Sequence, residues 1–453
     1  MFGAYPAGTA PSGSSVSGAV MRVSGIFGFA QRVCAGAALL LLPGLAQAQA
    51  ADGVPDAISV TDSGDTAFVI AMALLGLAMI LPGIALHHGA RLRARAFGAT
   101  ATQVGAIAAV VTLLWVMVGY TLGFGNVTSG WLGSGNAWML NDLGNVRGAS
   151  AVPEVAFVLL QLGFAILAAA LLTGAWAERG NIAWAVPFAG LWSLIVYAPV
   201  AHWVWGGGWL ATRLGTVDFG GALVVHTSAG ISALVITLLI GRRARADDAH
   251  DDAHGGSSGL AFAGTGMVWA ALLALTAGAT LAASDDAATA LVNAQLAAAA
   301  GALVWLLADA ITGGKAHGFA LARGALAGIV ASSAAVNAMA PGSAMVAGLV
   351  GAVVAWLAAR LIRYSGIDDA VDLVAVHGIA GLAGALLAAP LIAGTLGGTG
   401  YAPGMTPMRQ VVAQAIGAGV IAGWAAIGTA IVALMVAMVV PMRISEADEI
   451  SNL

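Results

Sequence analysis

The sequence predicts an all-α membrane protein: eleven transmembrane helices, built as an inverted five-helix repeat plus one peripheral helix. Three observations carry this prediction: composition, a succession of apolar runs of bilayer-spanning length, and a motif that recurs later in the chain. Of the 453 residues, 60% are hydrophobic and only 8% are charged, whereas soluble domains carry about 25% charged residues. So few charges cannot cover a water-facing surface. The 63 glycines suit helices that pack closely in lipid, where small residues let backbones approach. A net charge of -4 gives no reason to expect nucleic acid or an acidic partner. Cys34 is the only cysteine, which excludes intrachain disulfides and cysteine-based metal sites.

The N-terminus has its own logic. Arg22 and Arg32 precede an apolar run from Ala35 to Leu45, followed by Ala46-Gln47-Ala48-Gln49-Ala50. A basic region, a short apolar region and a small-x-small pattern make a secretory signal peptide, too short for a spanning helix. Residues 1–50 are therefore expected to be an N-terminal extension and leader, cleaved after Ala48 or Ala50, with Met21 as an alternative start. The membrane domain is expected over 51–441 and a short cytoplasmic tail over 442–453.

Apolar stretches then cover 65–88, 101–123, 152–175, 182–203, 218–241, 259–283, 288–311, 320–338, 343–364, 370–396 and 411–440, each roughly the length a bilayer requires. With the mature N-terminus outside, the inner loops hold Arg91, Arg93, Arg95, Arg179, Arg242, Arg243, Arg245, Lys315, Arg323, Arg360, Arg363 and Arg443. The outer loops hold Arg147, Arg213 and Arg409. Cytoplasmic loops carry the excess of Lys and Arg, so the N-terminus is expected outside and the C-terminus inside. The loop 242–258 reads as solvated. The stretch Val224-Val225-His226-Thr227-Ser228-Ala229-Gly230 resembles Ala375-Val376-His377-Gly378-Ile379-Ala380-Gly381. Each lies in the fifth span of a five-span block. An odd number of spans turns the second block upside down, as in inverted-repeat transporters. The eleventh helix lies outside the repeat.

His226 and His377 are the sharpest candidates for chemistry. Ionisable residues inside a membrane are costly and face a cavity or a partner. They are either two separate rings bonded to neighbouring helices or, as their matched repeat positions favour, a facing pair that shares one proton. Asp218 lies eight residues before His226, and Asp372 five before His377. Asp218 reads as a helix cap and, beside Gly220 and Gly221, as a buried charge favouring a cation. Asp368 and Asp369 read as caps of the tenth span. Trp203, Trp205 and Trp209 stand beside three glycines; they read equally as an interfacial aromatic belt or as a cage for an ammonium-like ion. No third ligand for a two-His metal site lies nearby, and no nucleophile, base and orienter occur together. No metal, no cofactor and no enzyme activity are expected.

The segment Tyr197 to Gly230, with Ala-His-Trp-Val-Trp-Gly-Gly-Gly and Asp-Phe-Gly-Gly-Ala-Leu-Val-Val-His, resembles the signature of the ammonium transporter (Amt/Rh) family. Similar stretches are Asp62-Ser-Gly-Asp65, Leu81-Pro-Gly83, Gln161-x-x-Phe164, Gly174-Ala-x-Ala-Glu178-Arg179, Asp372-x-x-x-x-His377-Gly378 and the tail from Met442. The likeness spans about 55–448. It implies a homotrimer in the cytoplasmic (inner) membrane, with one pore per subunit and ammonium or ammonia as the solute. It implies an outer aromatic site at Trp205, a gate at Phe164, a selectivity role for Asp218 and a twin-His pore at His226 and His377. It also implies a cytoplasmic regulatory protein, for which the tail here is short. The family's second gate phenylalanine is Leu275 here, its ammonium-bonding serine is Ala279, and a further vestibule aromatic is Leu160. The expected function is ammonium or ammonia transport. The alternatives are an ammonium sensor without significant flux, against which the absence of an output domain after residue 453 counts, or a channel for another small amine.

Overall fold

The computed structural model describes residues 61–92, 96–135, 138–144, 146–148, 150–244, 257–313 and 318–451. The expected leader over 1–50 and much of the loop 242–258 lie outside them. Among the described residues, eleven helices are long and apolar enough to cross a membrane: α1 (Ser63–Gly89), α2 (Ala96–Phe124), α3 (Glu154–Trp176), α4 (Ile182–Val204), α5 (Ala222–Ile240), α6 (Ser258–Gly278), α7 (Asp285–Ile311), α8 (Gly318–Ala335), α9 (Pro341–Tyr364), α10 (Val374–Leu391) and α11 (Pro407–Ala437). A short α12 (Glu446–Ser451) follows in the tail. The starts are chemically marked. Asp62, Asn181, Ser257 and Thr406 each accept a bond from a first-turn amide of the helix they precede, which satisfies donors the helix itself cannot pair.

The described residues depart from an all-α chain in a two-residue antiparallel ribbon, β1 (Asn126–Val127) with β2 (Gly133–Ser134), and in a single antiparallel bridge between Gly180 and Arg443. The ribbon lies between α2 and α3.

Helices α3, α5, α8 and α10 are largely buried, while α1, α7, α9 and α11 leave more than half of their apolar windows outward. Leu113, Leu303, Ile311, Leu361 and Met438 stand more than half exposed. They belong to a long series of exposed large apolar side chains, more apolar surface than a water-soluble monomer leaves open. In lipid they are the solvent-compatible face, so the inner four helices are free to carry polar groups.

The inverted repeat is visible in single contacts. His226 and His377 are 151 residues apart. Gly230 of α5 rests on the backbone of Gly378 in α10, so closely that a Cβ on Gly378 would stand 3.2 Å from Gly230 Cα. The same offset turns this contact into Gly381 against Thr227, where a Cβ on Gly381 would stand 2.9 Å from the Thr227 hydroxyl oxygen. Contacts that exchange partners in this way are what a twofold axis between halves produces. Both helices also open with a π-helical turn, Ala222–Thr227 in α5 and Val374–Ile379 in α10. Such turns are rare and occur at functional positions.

Hydropathy places the starts of these two spans at 218 and 370; the helices begin at Ala222 and Val374. Gly221 takes a φ of 93° and Asp372 a φ of 55°, left-handed values that break the helical path. The caps need a matching correction. Asp369 caps α10, accepting from Leu373 N and Val374 N, both at 2.9 Å. Asp368 caps nothing in α10. Its carboxylate takes Arg243 Nε and Nη2 at 2.9 Å each, with Arg179 Nη1 at 3.6 Å.

Candidate functional site

The site is built from the two π-opened helices and the elements around their crossing. At one end α4 stops at Val204, and Trp205 follows. Its ring packs against Phe164 of α3, tilted at 55° with centroids 5.2 Å apart. Its indole Nε1 donates to the Asp218 carbonyl at 2.5 Å. Gly221 leaves room for the ring, since a Cβ there would stand 3.4 Å from Trp205 Cη2. Phe164 is buried and Trp205 half-buried, so the indole is the outer member of the pair.

Asp218 lies between this ring pair and the start of α5. Its carboxylate accepts from Gly221 N at 3.2 Å, Leu223 N at 2.9 Å and Val224 N at 2.8 Å. These amides have no partner within the helix. Burial pushes the carboxyl up to about 7, against the opposing pull of the backbone amides. Asp218 and Asp369 play matching parts, one before each histidine helix. The signal was in the spacing: Asp369 lies eight residues before His377, as Asp218 does before His226. Asp372 instead binds Arg91, Arg323 at 2.7 Å and Arg363 at 3.0 Å. Burial would raise Asp372, but the charges of these three arginines hold it below the ordinary carboxylate range. At Asp368, burial is likewise overcome by the Arg243 bonds and charge, holding it at about 2.

One Gly–Gly contact away, His377 Nδ1 and His226 Nδ1 are 3.0 Å apart, with ring centroids at 5.0 Å. At that distance one nitrogen donates and the other accepts. Both rings are buried, and His226 Nε2 is enclosed with no protein partner. Gln161 Oε1 and Tyr197 Oη are enclosed and unpartnered in the same way. Gln161 lies one turn from Phe164 on α3 and so shares its face.

Leu275 and Ala279 are not part of the ring pair. Leu275 is fully buried. Its methyls sit in a slot between helices, where a Cβ on Gly76 would stand 2.7 Å from Leu275 Cδ2 and one on Gly163 2.8 Å. Ala279 caps the end of α6, and Leu160 covers Gly278 beside it.

At the far end of α1 lies a feature that sequence reasoning passed over. His87 and His88 are buried, with ring centroids 5.6 Å apart. His87 Nδ1 meets Thr265 Oγ1 at 2.8 Å and His88 Nδ1 meets Thr173 Oγ1 at 2.9 Å. The signal was there: two adjacent imidazoles inside an apolar span.

Inverted halves, and polar groups gathered where two π-opened helices cross, mark a membrane transporter. The comparisons give this class a family. The family model described as Ammonium Transporter Family matches residues 67–453. A putative ammonium transporter of Methanothermobacter thermautotrophicus is 36% identical over 328 residues, covering 72% of this chain and 79% of that one. The ammonium transporter of Bacillus subtilis is 35% identical over 331 residues, covering 71% and 79%. Among solved structures, a protein described as Sensor Amt Protein is similar with a TM-score of 0.78 and 27% identity, covering 85% of this chain and 96% of that one. Candida albicans Mep2 is similar with a TM-score of 0.75 and 30% identity, covering 85% and 87%. This chain belongs to the ammonium transporter family.

Proposed function

We propose that this protein carries ammonium across the cytoplasmic membrane, recruiting the ion at Trp205 and passing ammonia along His226 and His377. The observation that carries the reading is the 3.0 Å contact between the two imidazoles, held inside an apolar bundle beneath the Trp205–Phe164 pair. An aromatic face attracts an ammonium ion, and Asp218 adds negative potential when ionised. Taking an intact cation through apolar surroundings is expensive, so deprotonation precedes passage. Ammonia both donates and accepts hydrogen bonds, as a shared-proton imidazole pair does. Phe164 is the gate, with Leu275 as the apolar wall behind it.

The reading extends to the whole chain. Residues 1–50 are the leader, 51–441 the transport domain and 442–453 the cytoplasmic tail, the surface a cytoplasmic regulatory protein would meet. The N-terminus is outside and the C-terminus inside, on the distribution of Lys and Arg. The subunits form a trimer with one path each. The test is reconstitution into liposomes, with ammonium uptake and ammonium-driven current read together. Uptake above that of protein-free vesicles is expected, and His226→Ala is expected to change its rate while the protein still inserts. A correctly inserted wild type that takes up no ammonium overturns the reading. It would favour the sensor alternative, which the likeness to a structure described as a sensor supports.

A further inference from the structure

His87 and His88 are two buried imidazoles with no part in the reading above, and their hydrogen bonds fix which nitrogen is bare. The hydroxyl that meets His88 Nδ1 belongs to Thr173, and it also lies 2.8 Å from the Ala170 carbonyl. The hydroxyl that meets His87 Nδ1 belongs to Thr265, and it also lies 2.7 Å from the Ala261 carbonyl. A hydroxyl has one proton, and a carbonyl can only accept. The arrangement that satisfies hydroxyl, carbonyl and imidazole together has each threonine give its proton to the backbone and offer a lone pair to the ring. Both histidines are held as Nδ1–H donors, and each keeps a bare lone pair on Nε2. No protein group bonds to either Nε2 among the described residues.

The surroundings keep space beside that lone pair. Gly174 stands next to His88, where a Cβ would come within 3.5 Å of Nε2 and would collide with Val371. Thr173 is nine residues along α3 from Phe164, roughly 13 Å at 1.5 Å per residue. His88 thus lies toward the Arg91 end of the bundle, away from the Trp205 ring, and His377 is within electrostatic reach of both imidazoles. The charged groups around the pair are Arg91 and Arg323, both engaged with Asp372. Neither Nε2 is sealed off as His226 Nε2 is, so a donor inside the bundle can reach it, and ammonia and ammonium are rich in N–H.

We propose that His88, with His87 behind it, forms a second solute-accepting site near the Arg91 end, where Nε2 takes an N–H of ammonia or ammonium that has passed His377. The proposal rests on the transport reading, and two measurements separate their failures. The first is solid-state NMR of the full chain in bilayers with 15N-labelled histidine, the His88 signals being assigned by their loss in His88→Gln. A bare Nε2 is expected, with a resonance that moves saturably on adding ammonium chloride and stays put with sodium chloride. The second is transport in vesicles sorted by orientation. His88→Phe is expected to raise the half-saturating ammonium concentration at least threefold from the Arg91 side and to leave it within twofold from the Trp205 side. His88→Gln, whose amide oxygen accepts, is expected to restore the Arg91-side value. An unmoved Nε2 resonance in a protein that transports ammonium overturns the proposal. So does a His88→Phe variant unchanged from both sides, or one that loses both sides equally without rescue by glutamine. A wild type that takes up no ammonium sinks the transport reading instead, and a resonance that still moves would leave the site standing.

Discussion

Two residues of α6 and its end, Leu275 and Ala279, can be tested singly. The resemblance to the family implies a serine where Ala279 stands and a phenylalanine where Leu275 stands, and both positions invite restoration. The structure separates the two. Leu275 fills a slot sized by Gly76 and Gly163, so Leu275→Phe would overpack it at a cost of about 1–3 kcal/mol. Ala279 is only half-buried at the end of α6 and has room for a hydroxyl. One hydrogen bond to a charged group contributes about 1.5–3 kcal/mol. Ala279→Ser is therefore expected to lower the half-saturating ammonium concentration about tenfold, which an uptake titration would check. Asp218 gives a pH signature. Its carboxyl titrates near 7 because it is buried; it is neutral below that pH and negative above it. The mouth turns attractive to a cation as pH rises through 7. Half-saturation should accordingly fall across pH 6 to 8 in the wild type and stay flat in Asp218→Asn. A wild-type profile as flat as the variant's would remove Asp218 from recruitment.

Among the elements, α5 and α10 matter most, and they mark the limit of what the sequence made legible. Their apolar length was readable because a bilayer sets it. The repeat was readable because the His-containing stretches match. Where the helices begin was not, since hydropathy does not register a left-handed residue such as Gly221 or Asp372. Spacing does single out Asp369, which repeats the eight-residue interval from Asp218 to His226, but it says nothing of what Asp368 binds. That is seen only where Arg243, from a distant loop, takes its carboxylate. His87 and His88 were absorbed into the first span because two polar residues barely lower its mean hydropathy. The crossing of α5 and α10 can be tested directly. In Gly230→Ala the new methyl meets the Gly378 backbone, which cannot step aside as a flexible side chain could. The helices must move apart, at about 1–3 kcal/mol, and the 3.0 Å imidazole contact is lost with them. A lower thermal unfolding midpoint and reduced uptake are expected, whereas Gly98→Ala, where a Cβ meets nothing within 4 Å, should change neither.

On the scale of the whole molecule, the layering follows the solvent. The apolar side chains of the outward-facing helices meet lipid, and the polar residues turn inward, on α3 and α5 as well as on the buried faces of α1, α6, α7 and α11. The charged clusters collect at one end, where Arg179 and Arg243 share Asp368, Arg91, Arg323 and Arg363 share Asp372, and Arg443 holds Glu449 of α12. Burial of such pairs ties loops of both halves together, because breaking one leaves a charge with no partner.

The backbone contact of Gly230 with Gly378 also has a kinetic consequence. Two helices touching main chain to main chain leave little slack for the halves to rock past each other, so a large-scale cycle of opening and closing is not expected to accompany solute movement. The temperature coefficient of flux should then be that of a small molecule slipping past side chains. A barrier of about 10 kcal/mol raises a rate roughly 1.7-fold between 25 and 35 °C, and one of about 20 kcal/mol roughly threefold. Ammonium flux measured across that interval is expected near the lower figure. A value near the higher one would mean that the glycine seam parts and reseals once per molecule carried.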